Sequence, residues 1–349
     1  MSLEDAARPS GNTNVPRLWF YKVFSALHLP AWLGALLLGL VPYFLVAVAG
    51  DTIAGVIYHR NFLANIDSLV PLTIVIVFIP LLGSIYVSRT IEKVNNYAET
   101  LLPVPQNGTH LPSPVNFRSL YSVRICALLA VVFFVLISVT YAGFAPASAQ
   151  PSYFSISPAF MYAFLVDWTF VWTYIYSMYS IWKIGHLPLA IPPFTEDRTL
   201  GLQPFGSASL RLTTIFLVLA ISNVLTVHAF AASVPLFVIS DLLIIFSVMG
   251  VVLFFLPLYG LHEKLVTMKN KEMKWISAEH SAVLKEVRAR GSFEDEGLTR
   301  RLTSIKLFRE DVVKIRGWPL DTEMIARLVT IVIFPLIIAL GVPFLLQYL

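Results

Sequence analysis

Two carboxylates, an amide and an imidazole fall inside stretches of this chain that are otherwise apolar: Asp167, Asp241, Asn223 and His228. An ionisable group in a bilayer costs ~2.5 to 3.5 kcal/mol on insertion scales, so each marks a place where ligand binding, ion passage or helix fastening offsets that cost. Aromatic side chains crowd around Asp167, from Phe160 through Trp168 and Trp172 to Tyr179. Apolar walls with a few placed polar groups describe a pocket for a small apolar or aromatic ligand, with Trp168 and Trp172 as walls. Two other chemistries stay open for the same residues. One is a proton or cation relay through the acids, which no buried Lys or Arg accompanies; the other is hydrogen bonding that only fastens helices together.

Enzyme chemistry has no comparable footing, and the chain reads as a non-enzyme without a cofactor. The sequence holds no His-Glu-x-x-His for zinc, no Gly-x-Ser-x-Gly elbow and no Gly-rich phosphate loop ahead of a helix. His262-Glu263 is a single pair in a charged run and reads as a solvated helix face. Cys126 is the one cysteine, which excludes intrachain disulfides and multi-cysteine metal sites. A retinal pigment needs a lysine in its last span, and the last apolar stretch here has none.

What positions these residues is a set of seven apolar stretches: 31–50, 67–87, 120–142, 158–182, 209–231, 235–257 and 324–346. Each matches the ~20 residues that cross a ~30 Å hydrocarbon core. A chain of 349 residues that is 57% hydrophobic and 13% charged is no ordinary soluble domain, since those shares usually stand near ~45 to 50% and ~25%. The mean hydropathy of +0.74 agrees. Every Lys and Arg except Arg60 falls before the first stretch or around alternate loops, with the densest run from Lys264 to Arg316. The positive-inside rule then places the N-terminus in the cytoplasm and the C-terminus outside. The expected partner of this basic balance is the anionic face of a lipid bilayer, and nucleic acid is not expected. The first twenty residues have no early apolar region and read as lacking a cleavable signal peptide. In this topology Asp167 lies about 14 Å below the outer surface and Asp241 about 9 Å, with Asn223 at a similar depth and His228 near the outer mouth.

The fold class is therefore all-α: a polytopic seven-helix membrane protein with a cytoplasmic antiparallel helical hairpin between helices 6 and 7. Residues 1–29 form a mobile tail and a short helix that lies at the interface or extends the first span. Residues 30–257 form six spans, with an irregular Pro-rich loop over 88–118. Residues 258–320 form the hairpin, and residues 321–349 the seventh span. The hairpin is read from the three-four spacing of Leu258, Leu261, Leu265 and Met268, then Ile276, Val283 and Val287, and along a second helix of Leu298, Leu302, Ile305, Val312 and Ile315. Ser292 can cap its second helix and Asp321 the last span. Its two seams pair with each other and either leave a face for a neighbouring subunit, through Leu298, Leu302, Ile305 and Val312, or leave nothing. The last span carries Thr330, Pro335, Gly341 and Pro343. It suits either a kinked pore helix that gates by dewetting, with Phe344 and Gln347 near its outer end, or a lipid-facing anchor.

Seven spans with the N-terminus inside, a cytoplasmic extension of the sixth helix and a split seventh resemble the insect odorant and gustatory receptor family and its wider superfamily of seven-transmembrane ion channels. The chain keeps Gln347-Tyr348 of the gustatory ending, with Leu340 and Gly341 where that family has Thr and Tyr. The resemblance implies a homo-tetramer joined through its cytoplasmic anchor, a pore lined by the final helix and a ligand pocket in the outer half. Asp197 to Gly206 (DRTLGLQPFG) and Pro257 to Leu265 (PLYGLHEKL) look like segments of uncharacterised archaeal and bacterial multipass proteins. The expected function is a channel-like membrane protein, a ligand-gated cation channel assembled as a homo-tetramer. A secondary transporter using Asp167 or Asp241 is the alternative, and a non-conducting scaffold or sensor is a third.

Overall fold

A backbone without water around it must satisfy its own N–H and C=O groups, and the helix does this within one segment. The computed structural model describes residues 18–41, 77–103, 114–144, 150–190, 199–230, 236–290 and 296–346, and among them no strand forms. The helices are α1 (Trp19–Ala26), α2 (Ala31–Val41), α3 (Ile79–Thr100), α4 (Phe117–Leu120), α5 (Val123–Phe144) and α6 (Gln150–His186). They continue with α7 (Gln203–Phe230), α8 (Leu236–Phe255), α9 (Tyr259–Arg290), α10 (Glu296–Lys314) and α11 (Thr322–Leu346).

Three stretches of described helix are long and apolar enough to cross a membrane: Phe117–Leu136, Gln203–Val224 and Ser240–Ala289. The bent pair α1–α2 makes a fourth if it is taken as one span. The chain is thus an all-helical protein with the marks of a membrane protein. The expected first span beyond Val41, the start of the second, the tail before Leu18, the Ser292 cap and Gln347 lie outside the described residues.

The chain divides into two compact units. One holds Met1–Arg89, Val115–Ser177 and Ile221–Ser233; the other holds Thr90–Pro114, Met178–Ala220 and Val234–Leu349. In the first unit α1 ends in a reversal whose N–H groups are all used. Leu29 N donates to Phe24 O and His28 N to Ser25 O, with His28 at φ 54. That is the paired-bond C-cap usually built on glycine. It turns α2 through 109° from α1, the geometry a surface-lying helix needs before a span begins. The Phe24 ring fills the space where a Cβ on Gly34 would stand.

One expectation is corrected. Residues 88–100 are not irregular loop: α3 continues to Thr100, because no proline intervenes before Pro103 and Ile91, Val94 and Ala98 supply a buried helical face. The expected fourth stretch, 158–182, is not overturned but lies within a longer helix, since α6 has 37 residues. At 1.5 Å per residue that is ~55 Å, well beyond a ~30 Å hydrocarbon core.

Candidate functional site

The expected pocket residues divide between the two units. Asp167, Trp168 and Trp172 lie on α6 and Asn223 and His228 on α7 within the first unit, whereas Asp241 lies on α8 in the second. Asp167 is partly buried, while Asn223 and Asp241 are exposed on this single chain. The two tryptophans fasten helices. Trp168 meets Phe133 of α5 edge-on with centroids 5.3 Å apart, and Phe133 meets Phe164 in the same way at 5.6 Å. Trp172 Nε1 donates to Ser119 O over 3.1 Å, which serves a carbonyl at the end of the short α4. Nearby, Trp19 Nε1 reaches Thr169 Oγ1 at 3.2 Å and brings α1 onto α6. Tyr162 Oη donates to Leu38 O of α2 at 3.1 Å. One aromatic face of α6 therefore holds α1, α2, α4 and α5.

On the last helix, Thr330 is exposed and its hydroxyl donates to Ala326 O over 2.9 Å. Pro335 and Phe344 lie within α11. Ile325, Val329, Ile333 and Ile337 are all exposed and recur every four residues, so one side of α11 is uncovered by the rest of the described chain.

The second unit builds its tightest polar construction where α7, α9 and α11 begin. Pro257 interrupts the ladder and leaves a 3₁₀ turn over Leu256–Leu258 between α8 and α9. Ser209 of α7 donates to Phe254 O at 2.8 Å, at the end of α8. One turn into α9, His262 stacks on Trp318 with centroids 4.1 Å apart and planes 16° from parallel. Its Nδ1 lies 2.5 Å from Gly317 O. Phe255 meets the same indole edge-on at 5.1 Å. Asp321 caps α11 as its position suggests, its Oδ1 accepting from Met324 N at 2.7 Å. Its other oxygen accepts from Gln203 Nε2 of α7 at 2.7 Å. Gly206 sits one turn further along α7, and a Cβ there would strike the carbonyl oxygen of Pro319.

Residues 199–206 of the first bacterial-like segment and 257–265 of the second, together with Trp318-Pro319-Leu320-Asp321, thus contribute to one junction. His262 is corrected from a solvated face to a partly buried ring, while its neighbour Glu263 is exposed. The sequence signal for the junction is the clustering of Gly, Pro, His and Trp at helix ends, where spans stop and the chain must turn.

Basic side chains complete this region by serving carbonyls that helix ends leave without partners. Lys269 Nζ donates to Val313 O and Ile315 O, each at 2.8 Å, at the end of α10. Arg316 Nη1 donates to Leu320 O at 2.6 Å. Lys264 Nζ donates to Leu187 O just past α6, and burial pushes its ammonium below the ordinary lysine range. Beside it α6 and α9 cross almost backbone to backbone: a Cβ on Gly185 would lie 3.2 Å from Leu261 N, and one on Gly260 2.8 Å from His186 Cε1.

The hairpin is antiparallel, as the pairing of residue 269 with 313 and of 279 with 301 requires. Its seam buries Ile276, Val283 and Val287 of α9 against Leu298, Ile305 and Val312 of α10, with Leu302 partly covered. Those residues close the hairpin on itself. No protein-family model matches this sequence, and neither a curated protein nor a solved structure is similar to it.

Proposed function

We propose that the chain is a seven-span membrane protein, N-terminus inside and C-terminus outside, that works as a homo-oligomeric channel opened by a small apolar or aromatic ligand. The observation that carries this reading is the uncovered side of α11. A helix hung from a built junction at one end, with Ile325, Val329, Ile333 and Ile337 uncovered among the described residues, is shaped to line a shared path or to meet neighbouring copies. Asp241 supports assembly as well. A carboxylate exposed on the flank of an apolar helix would cost ~2.5 to 3.5 kcal/mol against lipid, and a neighbouring subunit or a wet path removes that cost. Coupling follows the junction: ligand binding favours the open state by its differential affinity, and His262, Trp318 and Asp321 carry a shift of α7 or α9 to the root of α11.

The aromatic face of α6 supports a ligand wall less than it supports a rigid support, because Trp168 and Trp172 are spent on α5 and α4. The test is reconstitution in liposomes with the subunit number measured in nanodiscs. A ring of copies with passive cation flux, reduced by Ile333→Trp, is the expected result. A monomer, or saturable coupled uptake abolished by Asp167→Asn, would replace the channel with a transporter. Stable oligomers without flux of either kind would leave a scaffold or sensor.

A further inference from the structure

The two flanks of the hairpin differ in shape and in charge, and they match each other. On one flank, Met268, Glu272, Trp275, Glu279, Ala282 and Glu286 of α9 alternate by four and three residues, so they form one stripe at 100° per residue. Arg301 of α10 reaches Glu279 at 2.7 Å and Glu286 at 3.6 Å, which fixes this stripe beside α10. Among the described side chains of this flank, three carboxylates stand against the Arg301 guanidinium. Trp275 projects from the stripe with 56% of its surface exposed, and Phe308 of α10 is 43% exposed.

Across the buried seam, the other flank opens into a groove of about 610 Å³. Ile276, Leu302 and Ile305 line its apolar part, and His280, Lys306 and Arg309 its polar part. No carboxylate is among the residues lining it. A projecting indole between glutamates on one side and an apolar groove edged with cations on the other are complementary surfaces displaced around one hairpin.

We infer that the occupant of the groove is a second copy of this chain, whose Trp275 enters between α9 and α10 while its Glu272 and Glu286 meet Lys306 and Arg309. The inference rests on the oligomeric reading above and adds its mode of contact. Each copy uses two different patches, so the contact is head-to-tail and generates a ring when the rotation closes. The buried aromatic anchor supplies the adhesion, and the surrounding charges set register and reject a groove-to-groove pairing.

Charge reversal tests it in the full chain in nanodiscs, with subunit number read by native mass spectrometry and folding by helical circular dichroism. Lys306→Glu with Arg309→Glu should dissociate the assembly at low salt, and so should Glu272→Lys with Glu286→Lys. All four substitutions in one chain should restore it, because both patches have exchanged sign. Trp275→Ala, which leaves every charge in place, should also dissociate it. Assembly that survives both reversals overturns the head-to-tail contact while the oligomeric reading stands, as does a quadruple variant as dispersed as either pair. A monomeric unsubstituted chain removes both. Loss of binding to anionic vesicles with assembly unmoved would assign the groove to lipid headgroups and overturn the inference.

Discussion

The face of α6 and the root of the hairpin solve the same problem, unsatisfied polar groups between packed helices, by opposite means. On α6 the hydroxyls turn back on their own helix. Thr169 donates to Leu165 O, Thr173 to Thr169 O and Ser177 to Thr173 O, at 2.6 to 2.7 Å. Contacts between helices there are left to rings, two indole N–H groups and the Tyr162 hydroxyl. At the hairpin root side chains reach across: Lys264 holds Leu187 O just past α6, Lys269 the end of α10, and Asp321 the Gln203 amide of α7, while Arg316 serves Leu320 O within the turn. The difference follows burial. Thr169, Thr173 and Ser177 are buried and bond locally, and nearer the surface a flexible charged chain can bridge without a heavy desolvation cost.

The contrast can be broken first at the junction. Gly206→Val should have the largest effect, since its branched side chain collides with Pro319 O and Leu320. Overpacking of this kind costs about 1 to 3 kcal/mol or more, and a lowered unfolding temperature in detergent would show it. Asp321→Ala removes the α11 cap and the partner of Gln203, a loss of about 1 to 2 kcal/mol; equal thermal stability with unchanged protease sensitivity near Trp318 would contradict the role given to it. Trp172→Phe deletes one donor while keeping most of the packing, so about 1 kcal/mol is expected from the same melting measurement. Lys264→Met should change stability least at neutral pH. A buried lysine held below its ordinary value carries a cost when charged, and that cost fades as pH rises from the lowered value toward the unfolded one. The parent should therefore gain stability with alkaline pH over that interval, and the Met variant should lack that gain.

Helix existence was legible because it depends on composition and spacing that the sequence carries directly. The three-four pattern of Ile276, Val283 and Val287 reappears as a buried seam, and Asp321 caps as its place after Pro319 suggests. Helix ends were less legible. Arg89, Glu92 and Lys93 look like loop residues, yet they occupy the outer turns of α3, whose inner face is held by Ile91, Val94 and Ala98. The junction was hidden for a further reason. Gln203, His262 and Trp318 are separated by more than fifty residues each, and no local pattern announces that three turns meet. The aromatic run on α6 was visible, but whether Trp172 faces a ligand or a neighbouring carbonyl depends on where α4 stops, which spacing does not encode.

Gly185 and Gly260 let α6 and α9 cross almost backbone to backbone, with the His186 ring lying over Gly260. So close a crossing has no slack: any group larger than hydrogen at either glycine must press on the facing rod. An alanine at Gly260 would meet the imidazole of His186 and one at Gly185 the main chain of Leu261, so each would wedge the crossing open.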